Sequence, residues 1–142
     1  MNVSFQWPAV PEIYFGAGSL SNLPLLISRF GTNALLILGS RSFQGSSHFA
    51  TLEIALEQHS ISFKIFNIAQ EPSPQLIDIC VSQQSQSTID VVVAIGGGSV
   101  LDAGKAISAM LPLGTSTKSY LEGVGSKQHP GTKVPFIAIP TT

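Results

Sequence analysis

The chain has 142 residues, a formal net charge of −1, and 11% charged against 44% hydrophobic residues. That length suits one domain with a proper core, and without any basic run there is no signal for nucleic acid or acidic membranes. The one cysteine, Cys80, excludes a disulfide framework; it reads as a buried thiol in a reducing compartment.

Taken in chain order, residues 1–11 read as extended, with Trp7 between polar residues and prolines. Ile13, Tyr14 and Phe15 predict a short strand ended by Gly16. Residues 19–30 predict a helix with Pro24 in its first turns and Gly31 after its end. Leu35, Leu36, Ile37 and Leu38 form a buried strand that stops at Gly39, Ser40, Arg41 and Ser42. Residues 47–58 predict a helix with Phe49, Leu52, Ala55 and Leu56 inward. Residues 61–66 alternate as a strand near a sheet edge does.

Ser73 and Pro74 open the next helix by a cap and a proline at its first position. Its inner residues are Leu76, Ile77, Cys80 and Val81, and a polar run over 83–88 ends it. Residues 90–95 are apolar on both parities, as in a strand covered on both faces. Gly96, Gly97 and Gly98 make a turn without Cβ atoms, and Ser99 caps a helix, with Asp102 three residues on in a capping-box pattern. Val100, Ala103, Ile107, Met110 and Leu111 mark its buried face. Residues 112–132 form an irregular connection, and 134–139 the last strand.

Strands alternating with helices imply a doubly wound, mainly parallel sheet with helices on both faces. In such sheets ligands bind beyond the carboxyl ends of the strands, where the strand order reverses. Three segments meet that condition: 39–42, 96–99 and 140–142. A strand, a glycine turn and a helix N-terminus together favour phosphate, through unpaired N–H groups and the helix dipole. A Walker A loop is excluded, because Ser99 and Ala106 stand where it needs Gly and Ser or Thr; Leu101 excludes the G-x-G-x-x-G fingerprint. Glycine spacing alone leaves a plain tight turn before a capped helix as the alternative.

The longer string from Gly96 to Lys105, GGGSVLDAGK, resembles the GGGSxxDxxK signature of the iron-containing (group III) alcohol dehydrogenases. Their superfamily includes glycerol dehydrogenase and dehydroquinate synthase. IYFGAGSL over 13–20 is similar to that family's entry pattern, and PFIAIPTT over 135–142 to its strand and turn. Order and spacing agree, so the resemblance covers essentially the whole chain. It implies a Rossmann-like, dehydroquinate-synthase-like nucleotide-binding domain over 1–142, the NAD(P) half of a metal-dependent alcohol or aldehyde oxidoreductase. It assigns pyrophosphate contacts to Gly97, Gly98 and Ser99, with Gly96 also in the cofactor site, and the nicotinamide end to Thr141 and Thr142, which read otherwise as a plain strand end. Asp102 reads equally as a nucleotide contact or a capping box, and Lys105 as a phosphate neighbour or a solvated lysine.

Family members that prefer NAD commonly carry an Asp where this chain has Ser40. The run Gly39, Ser40, Arg41, Ser42 has no carboxylate, and hydroxyls with Arg41 suit a 2′-phosphate, so NADP is favoured over NAD. The family's Fe2+ or Zn2+, which polarises the alcohol oxygen, is held by an Asp and several His on an all-helical domain expected after this one. His48, His59 and His129 are scattered, without ligand spacing. The fragment alone is expected to be inactive. The resemblance further implies a small alcohol or aldehyde substrate and a homo-oligomer. With no apolar run of about 18 residues and no signal peptide, a cytoplasmic location is expected. A glycerol dehydrogenase or dehydroquinate-synthase-like enzyme, or a non-catalytic nucleotide- or partner-binding module, are the other readings.

Overall fold

A computed structural model describes residues 10–39 and 42–141. Its centre is β3, Val91–Gly96, in which every residue is buried. Val91, Val92, Val93 and Ile95 are stiff, branched side chains that suit a pleated surface packed from both sides. Beside it runs β1, Asn33–Leu38, buried from Ala34 onward. The edges are β2, Ser62–Asn67, whose burial is broken, and β4, Phe136–Pro140, which is half-exposed. All pairs are parallel, in the order β2-β1-β3-β4.

Because side chains alternate along a strand, each central strand feeds two cores. On one face Leu36, Leu38, Val93 and Ile95 meet Leu23 and Ile27 of α1 (Leu23–Ser28) and Phe49, Leu52 and Leu56 of α2 (Ser47–Gln58). On the other, Leu35, Ile37, Val92 and Ala94 meet Ile77 and Cys80 of α3 (Pro74–Gln83) and Val100, Ala103 and Ile107 of α4 (Gly98–Met110). The doubly wound parallel sheet read from the sequence is therefore present. The chain passes from β1 outward to β2, then returns to the far side of β1 to form β3. The strand order thus reverses between β1 and β3, and their carboxyl ends flank the crevice.

Two local expectations are corrected. Residues 13–15 form no strand: Ile13 and Phe15 are exposed, Phe15 wholly so, and among the described residues no strand pairs with them. Tyr14 instead donates to Glu12 at 2.9 Å, and Glu12 pairs with Arg29 at 2.7 Å. The single helix over 19–30 is a 3₁₀ turn, Ser19–Asn22, followed by α1. Pro24 lacks an N–H and its ring crowds the carbonyl four residues back, so α-helical bonding begins only around it. Trp7 and the remainder of 1–9 lie outside the described residues.

Two carboxylates tie the layers together. Asp90 Oδ2 accepts from Thr32 N, Asn33 N and Asn33 Nδ2 at 2.9–3.0 Å, joining the start of β1 to the start of β3. The Asn33 amide, then its N–H, hold the Asp90 carboxyl below its ordinary value, against a small opposing effect of burial and with help from Thr32 N–H. Asp78 on α3 accepts from Ser116 Oγ, Thr117 N and Thr117 Oγ1 at 2.6–2.8 Å and anchors the irregular connection that follows α4. Burial raises the Asp78 carboxyl, but these donors outweigh it and the net shift is downward.

Candidate functional site

The glycine turn lies at the carboxyl end of β3, beside the end of β1. Gly97, extended at φ −80° and ψ −173°, is the N-cap of α4. The first N–H groups to bond within the helix are those of Val100 and Leu101, both to Gly97 O, at 3.0 and 3.1 Å. The N–H groups of Gly98 and Ser99 precede them and belong to the unbonded first turn, where the dipole is positive.

Glycine is required here at specific points. A Cβ on Gly96 would stand 2.7 Å from Val100 Cγ2, and one on Gly39 3.5 Å from the same atom. The first turn of α4 therefore folds down over the ends of both β3 and β1. A Cβ on Gly104 would meet Ala94 Cβ at 2.7 Å and Phe136 Cε2 at 2.8 Å, so that glycine lets α4 lie close on the sheet. Around Gly98, which is exposed, a Cβ would meet nothing within 4 Å. The approach to the helix N-terminus is open on that side.

The structure brings most of the sequence-predicted residues to one edge. Gly39 ends β1, Gly96 ends β3, and Gly97, Gly98 and Ser99 carry the chain into α4. Thr141, just beyond β4, donates its N–H to Gly96 O at 3.1 Å and so lies beside the turn. Ser42 is exposed in the turn after β1. Ser40, Arg41 and Thr142 lie outside the described residues. Asp102 and Lys105 are exposed on α4, one and two turns in.

The capping box is corrected. Ser99 is the second residue of α4, not its cap, and no side chain caps this helix. The reason is that Gly98 already has helical geometry, which moves the cap back to Gly97. The Ser99 hydroxyl instead donates to Glu71 Oε1 at 2.7 Å, from the connection between β2 and α3. Glu71 is a residue the sequence reading missed: it stands 28 positions away, and no local pattern links the two.

Two of the histidines have structural partners. Gly131 N–H donates to His129 Nδ1 at 3.0 Å, which leaves Nε2 to donate to Ala109 O at 3.0 Å. His129 thus ties the long connection to α4. His59 bonds Ala55 O at 2.8 Å at the end of α2. Cys80 is buried and free, and burial pushes its thiol up to about 12, so it is unreactive at neutral pH. Among the described residues no three His, Cys, Asp or Glu side chains gather as a metal would need. The described residues do not fit the family's metal. No described helix is long and apolar enough to cross a membrane.

Residues 10–142 match the family model described as iron-containing alcohol dehydrogenase. Among curated proteins, the chain is 27% identical over 113 residues to the NADH-dependent butanol dehydrogenase A of Clostridium acetobutylicum, covering 75% of this chain and 28% of that protein. Among solved structures, an iron-containing alcohol dehydrogenase of Thermotoga maritima superposes with a TM-score of 0.68 at 28% identity, over 82% of this chain and 32% of that one. An archaeal alcohol dehydrogenase from a Red Sea brine pool gives a TM-score of 0.86 at 23% identity, over 99% of this chain and 37% of that one, a likeness of fold. The chain thus spans between 28% and 37% of the length of these relatives.

Proposed function

Because the chain belongs to the iron-containing alcohol dehydrogenase family, we propose that it is the dinucleotide-binding part of an alcohol or aldehyde oxidoreductase. Its pyrophosphate lies against the N–H groups of Gly97, Gly98 and Ser99, with Gly39 to one side and Thr141 to the other. One observation carries this: the first turn of α4, with unbonded N–H groups and open space at Gly98, overhangs the point where the strand order reverses between β1 and β3. The chemistry assigned to the whole enzyme is hydride transfer between a primary alcohol or aldehyde and the nicotinamide. The parent enzyme's metal ligands, for Fe2+ or Zn2+, are assigned to residues other than those described. On that reading the 142-residue chain binds dinucleotide but does not oxidise alcohol. Self-association is part of the proposal, supported by the exposed Val10, Ile13 and Phe15.

Of the two cofactors, the carboxylate-free run Gly39, Ser40, Arg41, Ser42 supports NADP. The butanol dehydrogenase relative is NADH-dependent by name, which supports NAD by kinship. Calorimetric titration of the chain with NADPH and with NADH tests both levels. Tighter binding of NADPH is expected. Equal or tighter binding of NADH keeps the site and removes the role given to residues 40–42. No binding of either removes the nucleotide reading for this chain.

A further inference from the structure

Glu71 is a charged group at this edge to which the nucleotide reading gives no role. It lies between β2 and α3 and is exposed, yet its Oε1 accepts the Ser99 hydroxyl proton at 2.7 Å. That contact holds a carboxylate against the first turn of α4, where unbonded N–H groups and the helix dipole favour negative charge. Among the described residues the ion pair present is Arg29 with Glu12, and no described Lys or Arg pairs with Glu71. A serine hydroxyl has one proton to give. While Glu71 holds it, a phosphate oxygen cannot.

We propose that Glu71 is a built-in anionic competitor for the N-terminus of α4, which the phosphates of an incoming dinucleotide must displace from Ser99. This rests on the nucleotide reading above and adds to it a control of affinity. In the empty site Glu71 satisfies Ser99. In the loaded site its charge stays nearby, opposes the phosphates and favours release. The residue acts on binding through charge and through Ser99; it takes no part in hydride transfer.

Glu71→Gln separates the two possible roles. Glutamine keeps a side-chain oxygen that accepts the Ser99 proton, and it removes the charge. Removing one negative charge about 6 Å from the phosphates, at an effective dielectric of about 40, corresponds to about tenfold tighter binding. Salt screens that repulsion, so the gain shrinks as ionic strength rises from about 20 mM to about 500 mM. The experiment is calorimetric titration of the wild-type chain and E71Q with NADH and NADPH at both salt concentrations, after matching thermal melts confirm that both are folded. Tighter binding by E71Q at low salt, converging on wild type at high salt, is expected. Equal or weaker binding by E71Q at low salt overturns the proposal and makes Glu71 a bystander or a support for Ser99. A gain that salt leaves unchanged overturns it too, because the cause is then not charge. If neither protein binds either dinucleotide, the nucleotide reading itself has failed and this inference falls with it. Binding by the wild type is what tells the two failures apart.

Discussion

Gly98→Ala divides the fold from the site. In the structure a methyl at Gly98 meets nothing within 4 Å, and the residue sits in the first turn of α4 without positive φ. The fold therefore loses nothing. Replacing a helical glycine by alanine gains up to about 1 kcal/mol, less in a first turn, so the melting temperature rises by between zero and about 4 °C. The proposed site responds in the opposite direction. The methyl stands in the open approach to the Gly98 and Ser99 N–H groups and keeps phosphate oxygens out of hydrogen-bond range. Losing one hydrogen bond to a charged group costs about 1.5–3 kcal/mol, or about 10- to 150-fold in affinity. Circular-dichroism melts and calorimetric titration with NADH and NADPH read the two effects separately. Unchanged affinity in a folded G98A chain would refute the placement of phosphate at this turn. A clear fall in melting temperature would refute the open space.

Two further predictions concern the frame that holds the site. Gly104→Ala gains the same propensity of about 1 kcal/mol, but its methyl lands 2.7 Å from Ala94 Cβ and 2.8 Å from the Phe136 ring. Ala94 is on a buried strand and cannot retreat, so overpacking of about 1–3 kcal/mol outweighs the gain and the net loss reaches up to about 2 kcal/mol; a lower denaturation midpoint at constant slope checks this. Asp90→Asn weakens the link between β1 and β3. The folded Asp90 carboxyl lies below its ordinary value, so its contribution is complete above the unfolded value of about 3.9 and is lost as pH falls through the folded one. Denaturation at pH 7 should find D90N less stable by about 1 kcal/mol, with the difference shrinking as pH falls below about 3.9; a difference unchanged by acid would mean that shape, not charge, sets the cost.

What the sequence made legible follows from how local each cause is. Helix α2, Ser47–Gln58, and the Ser73 cap with Pro74 follow from residues within a few positions, and both are found; Ser73 Oγ accepts from Leu76 N at 3.2 Å. The central strands announce themselves by apolar residues on both parities. Ile13, Tyr14 and Phe15 carry the same kind of signal, but a strand also needs a partner, and none of the described strands lies beside them. The capping box failed for a related reason. Its spacing is present from Ser99 to Asp102, but the helix begins at Gly98, two residues earlier than a Ser99 cap requires, and a carboxylate 28 positions away takes the Ser99 proton. Ser40 and Arg41, on which the choice between NADP and NAD turns, lie outside the described residues, so that expectation stands on the sequence alone.

The glycines show most clearly what sequence spacing cannot convey. Gly96, Gly98 and Gly104 stand within nine positions of one another and look alike in a motif, yet they face different surroundings. Gly96 makes room for Val100, and Gly104 makes room for Ala94 and Phe136, while Gly98 has no neighbour to clear. The first two act on the helix: they let α4 settle onto β3 and β4, against Ala94 and Phe136. That settling carries the free end of the helix over the ends of β1 and β3. Only the third is left over for a ligand. A glycine that faces packed protein is explained by the fold, whereas one that faces open space at a helix N-terminus still needs a reason. In the proposed function the dinucleotide supplies it, so that proposal rests more firmly on Gly98 than on the glycine run as a whole.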